Sequence, residues 1–89
     1  MTTPESKIKA KVKKLLKDHG VYWLMPVQNG MGAPALDFHC CHQGRYFGIE
    51  TKAGNKRPTP RQEITMNDIR LAGGLAFLIV PVDPLSPQI

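Results

Sequence analysis

The sequence predicts an α/β domain of element order α-β-β-β-α-β, with a mixed sheet flanked by helices. Three observations predict it: a lysine-rich amphipathic helix opens the chain, two alternating strands flank a short turn in its middle, and a capped helix precedes a glycine pair and an apolar run. The 89 residues suffice for one domain, assigned to 1–83, with a short tail at 84–89 that contains Pro84 and Pro87.

The first helix is expected from Pro4 to about His19. Thr2 or Thr3 can cap it, Pro4 suits its first turn and Gly20 its stop. Ile8, Val12, Leu15 and Leu16 form one apolar stripe, while Lys7, Lys9, Lys11, Lys13, Lys14 and Lys17 occupy the other faces. Glu5 extends the apolar stripe, an unusual place for a carboxylate. A capping-box role toward Thr2, or a favourable charge at the helix N-terminus, explains it without function. A strand follows at Val21–Val27, then a loop at 29–34 rich in glycine and proline.

Ala35–His42 and Arg45–Lys52 read as the two arms of a hairpin turning at Gln43-Gly44. A polar loop from Ala53 to Pro58 leads to the second helix, where Thr59 is the cap, Pro60 the first residue and Gln62 the partner in a capping box. That helix ends near Gly73-Gly74. Leu75–Val82 is then expected as a buried strand, because it is continuously apolar and too short for another helix.

Composition excludes several classes. No apolar stretch approaches the roughly 18 residues that span a bilayer, so no membrane partner is expected. The basic N-terminus lacks the apolar core of a secretory signal. Cys40 and Cys41 are adjacent and cannot staple distant segments, which points to a reducing, cytoplasmic setting. The net charge of +5 and pI near 9.5 favour a polyanionic partner, nucleic acid being the commonest, although a basic surface also serves solubility alone.

Chemistry concentrates on the hairpin. Counting outward from the turn places His42 against Arg45 and Asp37 directly opposite Glu50. Alternation sends Leu36, Phe38, Cys40, Phe47 and Ile49 to a core face, and Asp37, His39, Glu50 and Lys52 to the other. Two opposed carboxylates repel one another across a sheet, so a positive charge belongs between them. A hard divalent cation bound by the carboxylates and a backbone carbonyl meets that need, and Lys52, two residues beyond Glu50, can assist an attacking water or a scissile phosphate. A solvated Asp–Lys–Glu surface cluster is the simpler alternative for the same residues.

Residues 32 to 38 read GAPALDF and residues 49 to 54 read IETKAG. Together they resemble the PD-(D/E)xK nuclease signature, and the flanking pattern resembles the virus-type replication-repair nuclease (VRR-Nuc) domain. Such domains carry a Glu in the first helix, a glycine-rich approach to the Asp, an E-x-K strand and a Gln in the next helix, matched here by Glu5, Gly32 to Asp37, Glu50 with Lys52, and Gln62. Two residues separate Pro34 from Asp37, where the family has a tight Pro-Asp pair.

The resemblance implies a restriction-endonuclease-like core and a metal-dependent DNA endonuclease. Asp37, Glu50 and the carbonyl of Thr51 would hold Mg²⁺ or Mn²⁺, with Glu5 a further ligand directly or through water. Lys52 would assist the water nucleophile and Gln62 would help orient the site. Stand-alone members resemble Holliday-junction resolvases acting as homodimers in DNA repair or phage replication, whereas members embedded in longer proteins cut flapped or crosslinked DNA. The stand-alone type fits this chain better.

Other local patterns carry less. His39-Cys40-Cys41-His42 lacks the ligand spacing of a structural zinc site, and a strand sends neighbouring side chains to opposite faces. Gln62 can complete a helix cap without any catalytic part. Lys56, Arg57 and Arg61 are expected to contact DNA phosphates. Ile64 and Leu71, off the expected buried row of the second helix, are candidates for a homodimer interface. Tyr22 and Trp23 read as packing residues. The rival functions are a flap or duplex nuclease, a non-catalytic nucleic-acid-binding module on the same fold, and a different metal-dependent hydrolase.

Overall fold

In the computed structural model, residues 4–27, 35–54 and 56–80 are described. Six elements follow one another: α1 (Pro4–Asp18), β1 (Tyr22–Leu24), β2 (Phe38–His42), β3 (Arg45–Thr51), α2 (Pro60–Leu71) and β4 (Leu75–Ile79). The four strands form one sheet in the order β1-β2-β3-β4. β1 and β2 pair antiparallel, as do β2 and β3, whereas β3 and β4 run parallel with α2 as the crossover. This is the mixed, helix-flanked α/β fold expected, in the expected order. The 29–34 loop and the 84–89 tail lie outside the described residues.

The hairpin turn sets the register. Gln43 (φ 52°) and Gly44 (φ 78°) both lie in the left-handed region, the combination whose twist matches that of the flanking strands. His42 therefore pairs with Arg45, and the ladder runs from there to Phe38 opposite Ile49. β1 is shorter than the strand expected at Val21–Val27. Pro26 has no N–H to give a ladder, and pairing stops at Leu24 opposite His39.

Each helix covers one face. α1 lays Val12 and Leu16 on Phe38, Cys40 and Ile49, with Ile8, Trp23, Phe47 and Ile79 filling in around them. Trp23 meets Phe38 edge-on, with ring centroids 5.9 Å apart. α2 lays Met66, flanked by Ile69, on Leu36 and Ala76. Gly48 makes that second layer possible: a Cβ there would stand 2.8 Å from Leu36 Cδ1 and 3.2 Å from Ile69 Cδ1.

Two sequence expectations are corrected here. Leu36 does not share the core face of Phe38 and Cys40. The chain bends at Asp37, which interrupts the alternation and delivers Leu36 to the α2 side, where it is fully buried. β4 is an edge strand and not a buried one: Leu75, Phe77 and Leu78 remain 37–46% exposed, and only Ala76 is buried. Among the described residues no helix is long and apolar enough to cross a membrane.

Candidate active site at the open end of the hairpin

At the end of the sheet opposite the turn, β2 begins and β3 ends. The bend at Asp37 withdraws Leu36 from the ladder, and the register would have given Leu36 the N–H of Thr51. The Asp37 carboxylate takes that place: Thr51 donates to Oδ2 through both its N–H (2.9 Å) and its hydroxyl (2.7 Å). A charged acceptor bound twice by a fully buried residue is well fixed. The other oxygen, Oδ1, lies 3.6 Å from the ammonium of Lys9 on α1.

Glu50, 1% exposed, has both oxygens engaged. Its Oε1 accepts from the Asp37 N–H at 3.2 Å, and Oε2 accepts from Gln62 Nε2 at 2.7 Å and faces Lys52 Nζ at 3.3 Å. Burial pushes the Glu50 carboxyl above its ordinary pKa, the charge of Asp37 pushes the same way, and Lys52 and the Asp37 N–H oppose both. Desolvation and like charge thus outweigh two favourable contacts. Two acids stand side by side, each with one lysine beside it.

Gln62 unites the two roles that its position allows. Its Oε1 accepts from the Thr59 N–H at 2.9 Å while its own N–H donates to Thr59 Oγ1, completing the capping box that starts α2. With Oε1 so occupied, Nε2 is the end that reaches Glu50. The cap therefore orients the amide for the site.

The structure thus brings Asp37, Glu50, Thr51, Lys52 and Gln62 together. Glu5 stands apart: it is half-buried beside a cavity that it lines with Pro4, Ala53, Gly54 and Lys56. Among the described residues no three His, Cys, Asp or Glu side chains form a group able to hold a metal ion. Lys56 and Arg57 are exposed and line a cavity beside α2, and Arg61 is exposed on the first turn of that helix.

Lys9 is the site residue that sequence reasoning missed, having been placed only among the lysines off the apolar stripe. A signal existed, because Lys9 lies four residues after Glu5 and three before Val12, at the border of the apolar stripe. The side chain of Thr51 was also missed, since only its carbonyl was considered. Away from the centre, His39 Nδ1 is hydrogen-bonded to the Tyr46 hydroxyl. The Cys40 thiol, buried in the α1 core, has its pKa pushed up to about 11 by that burial.

The donor chemistry suits a hard divalent ion. Two carboxylates stand side by side, and an ammonium rests against each, Lys9 Nζ against Asp37 Oδ1 and Lys52 Nζ against Glu50 Oε2, where a cation is favoured. Asp37 and Glu50 are the residues that would hold it.

No family profile matches the sequence, and no curated protein matches it. Among solved structures, a VRR_NUC domain superposes with a TM-score of 0.74 at 22% identity, covering 89% of this chain and 85% of that one. Hjc, a Holliday junction resolvase from the archaeal hyperthermophile Archaeoglobus fulgidus, superposes with a TM-score of 0.63 at 18% identity, covering 90% of this chain and 68% of that one. The fold of this chain is that of a VRR_NUC domain and of an archaeal Holliday junction resolvase.

Proposed function

We propose that the chain is a metal-dependent endonuclease that hydrolyses phosphodiester bonds in branched DNA, Holliday junctions foremost, as a homodimer. The observation that carries this reading is the packing of Asp37 against Glu50 with Lys52 at 3.3 Å from the buried carboxylate. A structural role gives no reason to set a buried acid against a second one at the end of a sheet. Phosphodiester hydrolysis gives one, because negative charge accumulates on phosphate oxygens during the reaction.

Mg²⁺ or Mn²⁺ held by Asp37 and Glu50 would polarise a phosphate oxygen and make a water more acidic. Everything else falls to the chain. Thr51 holds the Asp37 carboxylate in one orientation, and Gln62 does the same for Glu50. Lys52 carries its charge to the reacting phosphate, where it can stabilise the developing oxyanion or hold the attacking water. Lys9 balances Asp37 while the site is open and would swing aside for the substrate. Lys56, Arg57 and Arg61 extend a basic surface beyond the site, the footprint expected for phosphate contacts. Glu5, near the same loop, is at most a partner through water in this arrangement. Ile64 and Leu71, 61% and 87% exposed on α2, are large apolar side chains suited to a contact between two copies.

The test is cleavage of labelled four-way junction, flap and linear duplex DNA with Mg²⁺, Mn²⁺ or EDTA. Wild type is compared with Asp37→Asn and Lys52→Ala. Metal-dependent cutting lost in both variants, with the junction preferred, supports the proposal. Tight binding without cutting under either metal overturns it. A monomer at micromolar concentration by sedimentation refutes the dimer.

A further inference from the structure

A cavity of about 810 Å³ opens between α2, the loop that follows β3, and β4. Met66, 5% exposed, and Leu78, 41% exposed, give its mixed lining an apolar part. Lys56 and Arg57 stand at its loop side, and Asn67 and Arg70 line it along α2. Its location is set by register. Leu78 is the strand partner of Glu50, so the two Cα atoms are about 4.8 Å apart across the sheet. Met66 lies one helical turn beyond Gln62, whose amide touches Glu50. The cavity therefore begins where the catalytic cluster ends.

We propose that this cavity receives one unpaired nucleotide of the substrate strand, adjacent to the phosphate that is cut. The inference rests on the nuclease reading and names what that site prefers. Apolar side chains have no use for a phosphate, and basic ones alone would serve any backbone; a nucleotide needs both. Arg70 is held by two bonds, from Nη2 to the Ala76 carbonyl at 2.9 Å and from Nη1 to Asn67 Oδ1 at 3.4 Å. A guanidinium fixed in this way offers a flat face on which a base can stack. With Oδ1 accepting from Arg70, the Asn67 nitrogen is left as a donor to a base edge. Glu63, which also lines the cavity, repels phosphate and accepts from base N–H groups, so the phosphate belongs at the Lys56 and Arg57 side. A paired base must first leave its stack to enter, at an expense that is smallest for an unpaired base at a branch point. Selectivity for branched DNA follows from the cavity.

Two arms test this. In the first, a four-way junction carrying 2-aminopurine on one or the other side of the cut bond is bound, without metal, by the Asp37→Asn chain. Its fluorescence rises several-fold at one of the two positions, and the rise is lost when Asn67→Phe is added. In the second, wild type cuts a junction with an abasic residue at that position roughly tenfold more slowly, the scale of one lost base stack. Asn67→Phe cuts the intact junction at the same reduced rate and loses nothing further on the abasic one. Unchanged fluorescence at both positions, or an abasic penalty equal in the two proteins, overturns the proposal. If wild type cuts no DNA with Mg²⁺ or Mn²⁺, the nuclease reading falls, and the fluorescence arm, with 2-aminopurine at the nucleotides flanking the branch point, still decides the cavity.

Discussion

Replacing Thr51 with valine removes one hydroxyl and leaves the side-chain volume nearly unchanged. In the native chain that hydroxyl donates to Asp37 Oδ2 at 2.7 Å from a residue with no exposed surface. A hydrogen bond to a charged group contributes about 1.5–3 kcal/mol. The valine methyl recovers about 0.8 kcal/mol by burial, and the Thr51 N–H still holds Oδ2 at 2.9 Å. The net loss is then about 1–2 kcal/mol, which for a domain of this size lowers Tm by roughly 5–15 °C. Thermal unfolding in EDTA measures it without interference from metal. Calorimetric titration with Mn²⁺ should show affinity falling about 10–100-fold, the usual consequence of losing a group that orients a ligand. In an Asp37→Asn background the stability loss should shrink, because the acceptor is neutral there. A Thr51→Val chain that melts with wild type and binds Mn²⁺ equally well would refute the view that Thr51 holds the acid in place.

Further outcomes follow from the same geometry. Gly48→Ala should destabilise by about 1–3 kcal/mol in urea unfolding, because the new methyl meets Leu36 Cδ1 at 2.8 Å and Ile69 Cδ1 at 3.2 Å. Leu36→Ala should cost about 2–5 kcal/mol by the same measure, as expected of a fully buried leucine and not of a loop residue. Glu50 has a raised folded-state pKa, so its contribution to stability is fully present below the ordinary carboxylate pKa and is lost as pH rises through the raised one. Metal-free wild type should therefore lose stability relative to Glu50→Gln across that window, and Mg²⁺ should restore it; parallel Tm–pH curves would contradict this. Gln62→Glu can keep the cap acceptor at Thr59 but sets a second carboxylate against Glu50 Oε2, so cleavage should fall further than in Gln62→Ala while α2 still forms by circular dichroism.

Much of the fold was legible because local signals agreed. The Gln43-Gly44 turn set the register of β2 on β3, and with it the approach of Asp37 to Glu50. Thr59, Pro60 and Gln62 marked the start of α2 to the residue. What escaped depended on relations that periodicity does not carry. Strict alternation put Leu36 on the wrong face because a single bend at Asp37 resets the count. The apolar run of β4 did not reveal that it ends up at an edge, since edge and centre are properties of the whole sheet. Tyr22 and Trp23 both read as packing residues, yet Trp23 is packed against the α1 core and Tyr22 is 68% exposed. For the site, residue types and spacing indicated Asp37, Glu50, Lys52 and Gln62 as a set. Lys9 and the Thr51 hydroxyl were not indicated, because their parts follow from where α1 and the bend bring them.

Glu50 accepts hydrogen bonds from two sequence-distant directions, 13 residues back to Asp37 and 12 residues forward to Gln62. The first contact needs the hairpin and the second needs the crossover helix docked on the sheet. A chain that has closed only its hairpin holds an acid with one of these two bonds made and no helix over it. The carboxylate is thereby fully held only once the slower parallel pairing of β4 to β3 has drawn α2 into place beside the local, fast-forming hairpin. On the proposed nuclease function half-folded forms would be inert, and the two bonds on one carboxylate would be what makes them so.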